Sequence, residues 1–277
     1  MLNEEYVFGF SNEDINVKLV RNVDNYRIIN SSIVLNLDAK SILILPNNPQ
    51  AICIQRKLGM WQSDVFKNVK VKNAETIIVI EDKSLENPDT NNEQIINFPN
   101  IKLDLLKNFL CYNEKARKEI IDSKWEHVSK EYPSLNHLPL WKTKSEKITD
   151  IEGFMLDPFY LTGMTSEYDM EKEMCFKMRN YVWFTPLQTH CGIHNKHNFI
   201  EIHTQISGIG RMVKFSDQDY MNIYESQYMS PGNTQSHAYC VIEEVDKNRN
   251  SLKLSYPWHE YYSDTDCIWL VTEFWPC

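Results

Sequence analysis

Between Phe199 and Ile206 the chain reads FIEIHTQI, in which Ile at 200, 202 and 206 is interleaved with Glu201, His203 and Gln205 at a period of two. Successive residues of a β-strand point to opposite faces, so this pattern sets Ile200, Ile202 and Ile206 against a core. Glu201, His203 and Gln205 then share the opposite face. An ordinary apolar core would not take such a row, since an unpaired buried polar group costs about 1–3 kcal/mol. A strand between an apolar layer and a polar interior fits it. The same alternation recurs in Tyr181-Val-Trp-Phe, in Arg211-Met-Val-Lys-Phe and in Ile268-Trp-Leu-Val-Thr-Glu-Phe.

The first hundred residues also read as strands. Val17–Arg21, Ser32–Leu37, Ser41–Leu45, Ala51–Gln55 and Thr76–Glu81 are rich in Ile, Val and Leu and are separated by Asn, Asp and Pro. Residues 82–93 form a polar loop. Leu103, Leu106, Phe109 and Leu110 recur at helical spacing. A second run carries Ile120, Ile121, Trp125 and Val128, with Asn113 as N-cap and Pro133 as terminator. The expected organisation is a β-rich domain over 1–100, a helical insert over 101–144 and a barrel over 145–277.

The 277 residues carry 29 Lys+Arg and 38 Asp+Glu, a net charge of −9. Polyphosphate recognition needs clustered cations, so nucleic acid is not an expected partner, although Phe66–Lys72 contains three lysines. The apolar runs are strand-length, so no membrane association is expected either. The acidic, polar N-terminus lacks the features of a secretory signal. Seven scattered cysteines without a CxxC pair read as reduced, packed thiols, Cys191 included, and as a cytoplasmic setting.

The chemistry concentrates in one place. Six of the eight histidines lie at or after His190, and His190, His194, His197 and His203 fall within fourteen residues. His197-x3-Glu201-x6-Gly208 resembles part of the first motif of the cupin superfamily. Met229-Ser-Pro231-Gly232-Asn-Thr-Gln-Ser-His237 resembles the second, in which Pro and Gly turn the chain before a ligating His. His194 and His197 stand three apart where the family's pair stands two apart, and His237 lies one residue farther from Pro231 than usual. The resemblance covers about the last 130 residues of the sequence.

That resemblance implies a mainly β fold with a C-terminal cupin-type jelly roll, preceded by a β-rich region or a degenerate second cupin barrel. It also implies a metal held by His194, His197, Glu201 and His237. Imidazole and carboxylate ligands suit Fe, Mn, Ni, Co or Zn alike. His203, Gln205 and Glu260 are the expected catalytic residues, orienting a polar small-molecule substrate or moving its protons. Two reaction classes remain open: proton transfer of isomerase, epimerase or lyase type, and non-haem dioxygenation. The alternative is a cupin ligand-binding module without turnover. Family analogy adds a homodimer. His259 reads equally as a residue at the barrel mouth and as a surface turn residue.

Overall fold

The computed structural model describes residues 5–11, 15–38, 40–48, 56–82, 125–143, 151–235 and 238–277. It divides into two compact units, Met1–Lys124 with Pro231–Thr234, and Trp125–Ser230 with Gln235–Cys277. The helical spacing of residues 103–121 and the loop expected after Asp82 lie outside the described residues, as do Ala51–Gln55 and His237.

Unit 1 is built from β1 (Glu5–Ser11), β2 (Ile15–Val23), β3 (Tyr26–Ile28), β4 (Ser32–Asn36) and β5 (Ile42–Pro46). They are followed by β6 (Arg56–Leu58), β7 (Ser63–Phe66), β8 (Val69–Lys72) and β9 (Ala74–Asp82). These strands form two antiparallel sheets, β1-β2-β9-β4-β7 and β3-β8-β5-β6. Val20, Val34, Ile77 and Val79 from the first sheet pack with Ile28, Ile42, Ile44, Leu58 and Val71 from the second in one buried cluster. Burying each such side chain contributes about 1.5–3 kcal/mol.

Unit 2 begins with β10 (Trp125–His127), β11 (Trp141–Thr143) and β12 (Ile151–Leu156), then a four-residue helix α1 (Pro158–Leu161). Next come β13 (Met174–Thr185), β14 (Thr189–His190), β15 (Ile200–Ser207), β16 (Gly210–Phe215) and β17 (Ile223–Met229). The last strands are β18 (Val241–Asp246), β19 (Ser251–Ser255), β20 (Trp258–Ser263) and β21 (Cys267–Pro276). One sheet runs β10-β11-β13-β21-β15, with β12 also on β13, and the other runs β14-β20-β16-β17. From β13 to β16, and again from β20 to β21, successive strands switch between the two sheets, as in a jelly roll.

The two units share this order. The path β2-β9-β4 of unit 1 corresponds strand for strand to β13-β21-β15, and β3-β8-β5-β6 corresponds to β14-β20-β16-β17. The β-rich N-terminal region is therefore a second copy of the same topology.

In unit 2 the alternation expected of Phe199–Ile206 is realised in β15. Ile200, Ile202 and Ile206 are buried on one face. Glu201, His203 and Gln205 on the other lie directly across from Glu273, Val271 and Trp269 of β21. The turn from β15 to β16 passes through Gly208 at φ +76°, where a Cβ would collide with the Asp266 backbone.

Two expectations are corrected. Trp125–His127 is a strand, not helix, because it pairs with Trp141–Thr143 and extends the sheet beyond β13. Pro133, expected to end a helix, instead opens a short 3-10 turn. Long-range pairing here overrides a local apolar spacing. The cysteines are not all thiols either: Cys175 at the start of β13 and Cys277 after the end of β21 form a disulfide, while Cys191, Cys240 and Cys267 are free. No helix among the described residues is long and apolar enough to cross a membrane.

Candidate metal centre

His194 and His197 lie on the connection between β14 and β15, and His259 lies on β20. The connection is clipped to the strand by reciprocal backbone bonds, His194 N–H to His259 O at 3.0 Å and His259 N–H to His194 O at 2.9 Å. The three imidazoles therefore meet because a loop and a strand are stitched together at the ligands themselves. Their ring centroids are 4.5–5.2 Å apart, and one nitrogen from each falls within 4.8 Å of the others.

Two of the rings have fixed tautomers. His259 Nδ1 is 2.8 Å from Pro257 O and His194 Nδ1 is 2.8 Å from Gly192 O. A carbonyl oxygen only accepts, so each Nδ1 carries the proton and each Nε2 presents a lone pair. His197 Nε2 and His259 Nε2 stand 3.2 Å apart. That is the spacing of two nitrogens bound to one ion at about 2.0–2.1 Å. Burial, reinforced by His194, lowers the His259 pKa to about 3, and burial also lowers that of His197. Neutral imidazoles are the form a metal binds. Tyr256 and Phe199 wall the group on the His197 side, at ring distances of 4.6 and 5.0 Å.

A second set of groups lines the same interior from β15 and β21. Glu201 Oε1 is 2.8 Å from His203 Nε2, and His203 Nδ1 is 3.0 Å from the Met212 sulfur. Burial would raise the Glu201 pKa, but His203 and His197 outweigh it and hold the carboxyl well below its usual range. Glu273, directly opposite on β21, has the contrary fate: burial first, then the Glu201 charge, push it up to about 8. Its Oε2 accepts from Trp275 Nε1 at 2.9 Å. Arg179 of β13 lies across from Glu273 on its other side, its guanidinium 4.8 Å from the Trp275 ring.

The expected site residues fall as follows. His194 and His197 come together, joined by His259. Glu201 is turned to His203. His237 is outside the described residues. Gln205 is tied up within the fold, its amide donating to Ser207 O at 2.7 Å and its Oε1 accepting from Tyr261 Oη at 2.7 Å. Glu260 follows His259 on β20 and so points to the opposite face, where it meets His190 Nδ1 at 2.8 Å. The Cys191 thiol has its pKa raised by burial, in keeping with a packed, inert cysteine.

The fold settles His259, left open between barrel mouth and surface turn, and brings Glu273 into view. His259 alternates with Tyr261 and Ser263 along β20, but the short run WHEYYS resembles a turn until its pairing with β16 is known. Glu273 is a lone charge in an otherwise apolar and aromatic strand.

No family model matches the chain, and no curated protein does. Among solved structures it is similar to a mutant of Bacillus subtilis oxalate decarboxylase, at 8% identity over 99% of this chain and 76% of that chain, with a TM-score of 0.29. It is also similar to oxalate oxidase in complex with glycolate, at 13% identity over 35% of this chain and 41% of that one, TM-score 0.23. An RmlC-like cupin from Desulfovibrio desulfuricans matches at 10% identity over 47% of this chain and 84% of its own, TM-score 0.23. At these values the likeness adds no weight to the site, which stands on its own geometry.

Proposed function

We propose that unit 2 is a metal-dependent, cupin-type enzyme acting on a polar small molecule, with His194, His197 and His259 holding a divalent transition metal. The observation that carries this reading is the convergence of three imidazole nitrogens, two of them aimed by Nδ1–H bonds to backbone carbonyls. Three neutral nitrogen ligands suit Mn, Fe, Co, Ni or Zn and leave coordination positions for oxygen donors. When bound, such an ion polarises a carbonyl or holds adjacent substrate oxygens as a Lewis acid.

The chain's own residues supply the rest. Tyr256 and Phe199 exclude water from one side of the imidazoles. Glu201 and His203 form a hydrogen-bonded pair in which the ionised carboxylate accepts at Oε1 and holds a proton on His203 Nε2. A carboxylate and an imidazole inside the same interior favour proton transfer of isomerase, epimerase or lyase type over dioxygenation.

The test is elemental analysis of protein purified without chelators, wild type beside His259→Ala and Glu201→Gln. We expect close to one equivalent of metal in the wild type, retention in Glu201→Gln and a loss of affinity of about 100-fold or more in His259→Ala. Wild-type protein that holds no metal, and gains no thermal stability from added Mn, Fe, Co, Ni or Zn, would favour a binding module without turnover and overturn the proposal.

A further inference from the structure

The far end of β21 reaches the wall of the histidine group through one side chain. Trp275 donates its indole N–H to Glu273 Oε2 at 2.9 Å, and its ring lies 4.5 Å from that of Phe199. Phe199 in turn lies 5.0 Å from the His197 imidazole, and its carbonyl accepts from the Tyr256 hydroxyl at 2.8 Å. A single aromatic ring thus separates Trp275 from a histidine of the candidate centre. The anchoring of β21 at this end therefore bears on that histidine.

The strand ladder weakens here. Pro276 stands opposite Phe176 and has no N–H to donate. One residue further, Cys277 fastens the end to Cys175 of β13 by the disulfide, across 102 positions of chain. Cys277 is exposed and Cys175 half-buried. Exposed disulfides are the ones that exchange with thiols. The free thiols among the described residues are poor competitors, because burial raises the pKa of Cys191, Cys240 and Cys267.

Once the bond is open, hydrogen bonds remain at that end. Asn250 Nδ2 donates to Cys175 O at 2.8 Å and to Cys277 O at 3.2 Å, and Cys277 N–H donates to Cys175 O at 3.2 Å. They keep the two thiols near enough to close again, but the end of a strand held in this way frays readily.

We propose that Cys175–Cys277 is a redox site, opened by a dithiol reductant, whose state sets how firmly Trp275 and Phe199 hold His197. A reductant thiolate attacks Cys277 Sγ, the S–S bond breaks, and Cys175 leaves as a thiolate that takes up a proton. The reductant's second thiol then displaces Cys277 from the mixed disulfide. The dithiol is oxidised by two electrons and both cysteines end as thiols. The consequence for metal affinity rests on the function proposed above; the loosening of Trp275 and Phe199 does not.

The test compares oxidised protein with protein reduced by dithiothreitol and freed of it under nitrogen. On reduction, amide hydrogen exchange should rise about tenfold at Trp275 and across residues 197–199, and should not change in β16. Co(II) affinity should fall about tenfold, and Cys175→Ser/Cys277→Ser should match the reduced protein with no reductant present. By linkage, bound Co(II) should make the disulfide about tenfold harder to reduce. Trp275→Leu, with the disulfide intact, should itself weaken Co(II) binding and leave reduction little to add. A disulfide that dithiothreitol does not open in the folded chain overturns the proposal. So does unchanged exchange across residues 197–199, or equal Co(II) affinity in the two states. Protein that binds no Co(II) in either state overturns the metal-centre reading alone, and exchange across residues 197–199 then decides the redox site by itself.

Discussion

In unit 1 the strand β4 faces the opposing sheet with Val34, which shares one buried cluster with Ile42, Ile44, Val71, Ile77 and Val79. In unit 2 the corresponding strand β15 faces inward with Glu201, His203 and Gln205, which are met by Glu273, Trp269, Met212 and Tyr261. One strand order thus supports an interior centred on aliphatic side chains, with Ser32 and Asn36 at the ends of the inward row of β4, and an interior centred on polar ones. The connections differ as well. Residues 29–31 suffice between β3 and β4, whereas residues 191–199 separate β14 from β15 and carry His194 and His197 to His259. The comparison shows that topology fixes where an interior lies and leaves its chemistry to the inward-pointing residues and one lengthened loop.

The polar interior persists because its groups are partnered, and the sharpest way to break the comparison is to give unit 1 a group that is not. Val34→Glu places a carboxylate among aliphatic side chains with nothing to pair it. An uncompensated buried charge costs on the order of 3–5 kcal/mol. We expect unit 1 to unfold at a much lower denaturant concentration while unit 2 keeps its metal content. A wild-type denaturation profile for this variant would show that the space around Val34 admits water.

The second test lies in pH. Glu273 is 5% exposed, and its folded-state pKa, about 8, lies above the ordinary 4.5. The folded chain therefore keeps a proton that the unfolded chain releases between those values. The stability tied to that proton is fully present below about pH 4.5 and is lost as pH rises to about 8, at no more than about 1.4 kcal/mol per pH unit. Glu273→Gln has no such proton to lose. Its stability should vary less with pH across this window and should exceed that of the wild type above it, in urea titrations at about pH 5, 6.5 and 8. Parallel curves for the two proteins would mean that Glu273 is solvated and ionised at neutral pH.

What the sequence discloses follows from how locally each feature is encoded. β15 and β16 are legible because apolar residues alternate with polar ones within a few positions, and the centres of β13 and β21 because Val, Ile, Leu and aromatic residues crowd together there. The repeat of the strand order is open in the sequence only as one of two alternatives, since matching inward positions hold Val34 in one unit and polar residues in the other, with no shared motif. His259 joins His194 through backbone bonds across 65 positions of chain, and no local pattern encodes such a meeting. Trp125–His127 mimics a helical spacing and becomes a strand only through Trp141–Thr143. Cys175 and Cys277, 102 positions apart in the chain, are brought together by the pairing of β13 with β21.

The gentlest test removes one partnership inside the polar interior. Tyr261 Oη donates to Gln205 Oε1 at 2.7 Å, and the Gln205 amide serves Ser207 O, next to the tight turn at Gly208. Gln205→Leu keeps the volume but strands a buried hydroxyl and a carbonyl, a loss of about 1–3 kcal/mol. Deleting both members of a buried bond is far less costly than deleting one. Adding Tyr261→Phe to Gln205→Leu should therefore recover part of the loss, whereas in unit 1 two core truncations that share no cluster, such as Ile42→Val and Ile80→Val, should simply add. Metal content should be unchanged throughout, because neither Gln205 nor Tyr261 belongs to the three-histidine group. If the double variant were as unstable as the sum of its parts, the interior of unit 2 would be held by packing, as unit 1 is, and the contrast between the two units would reduce to the loop that carries the histidines.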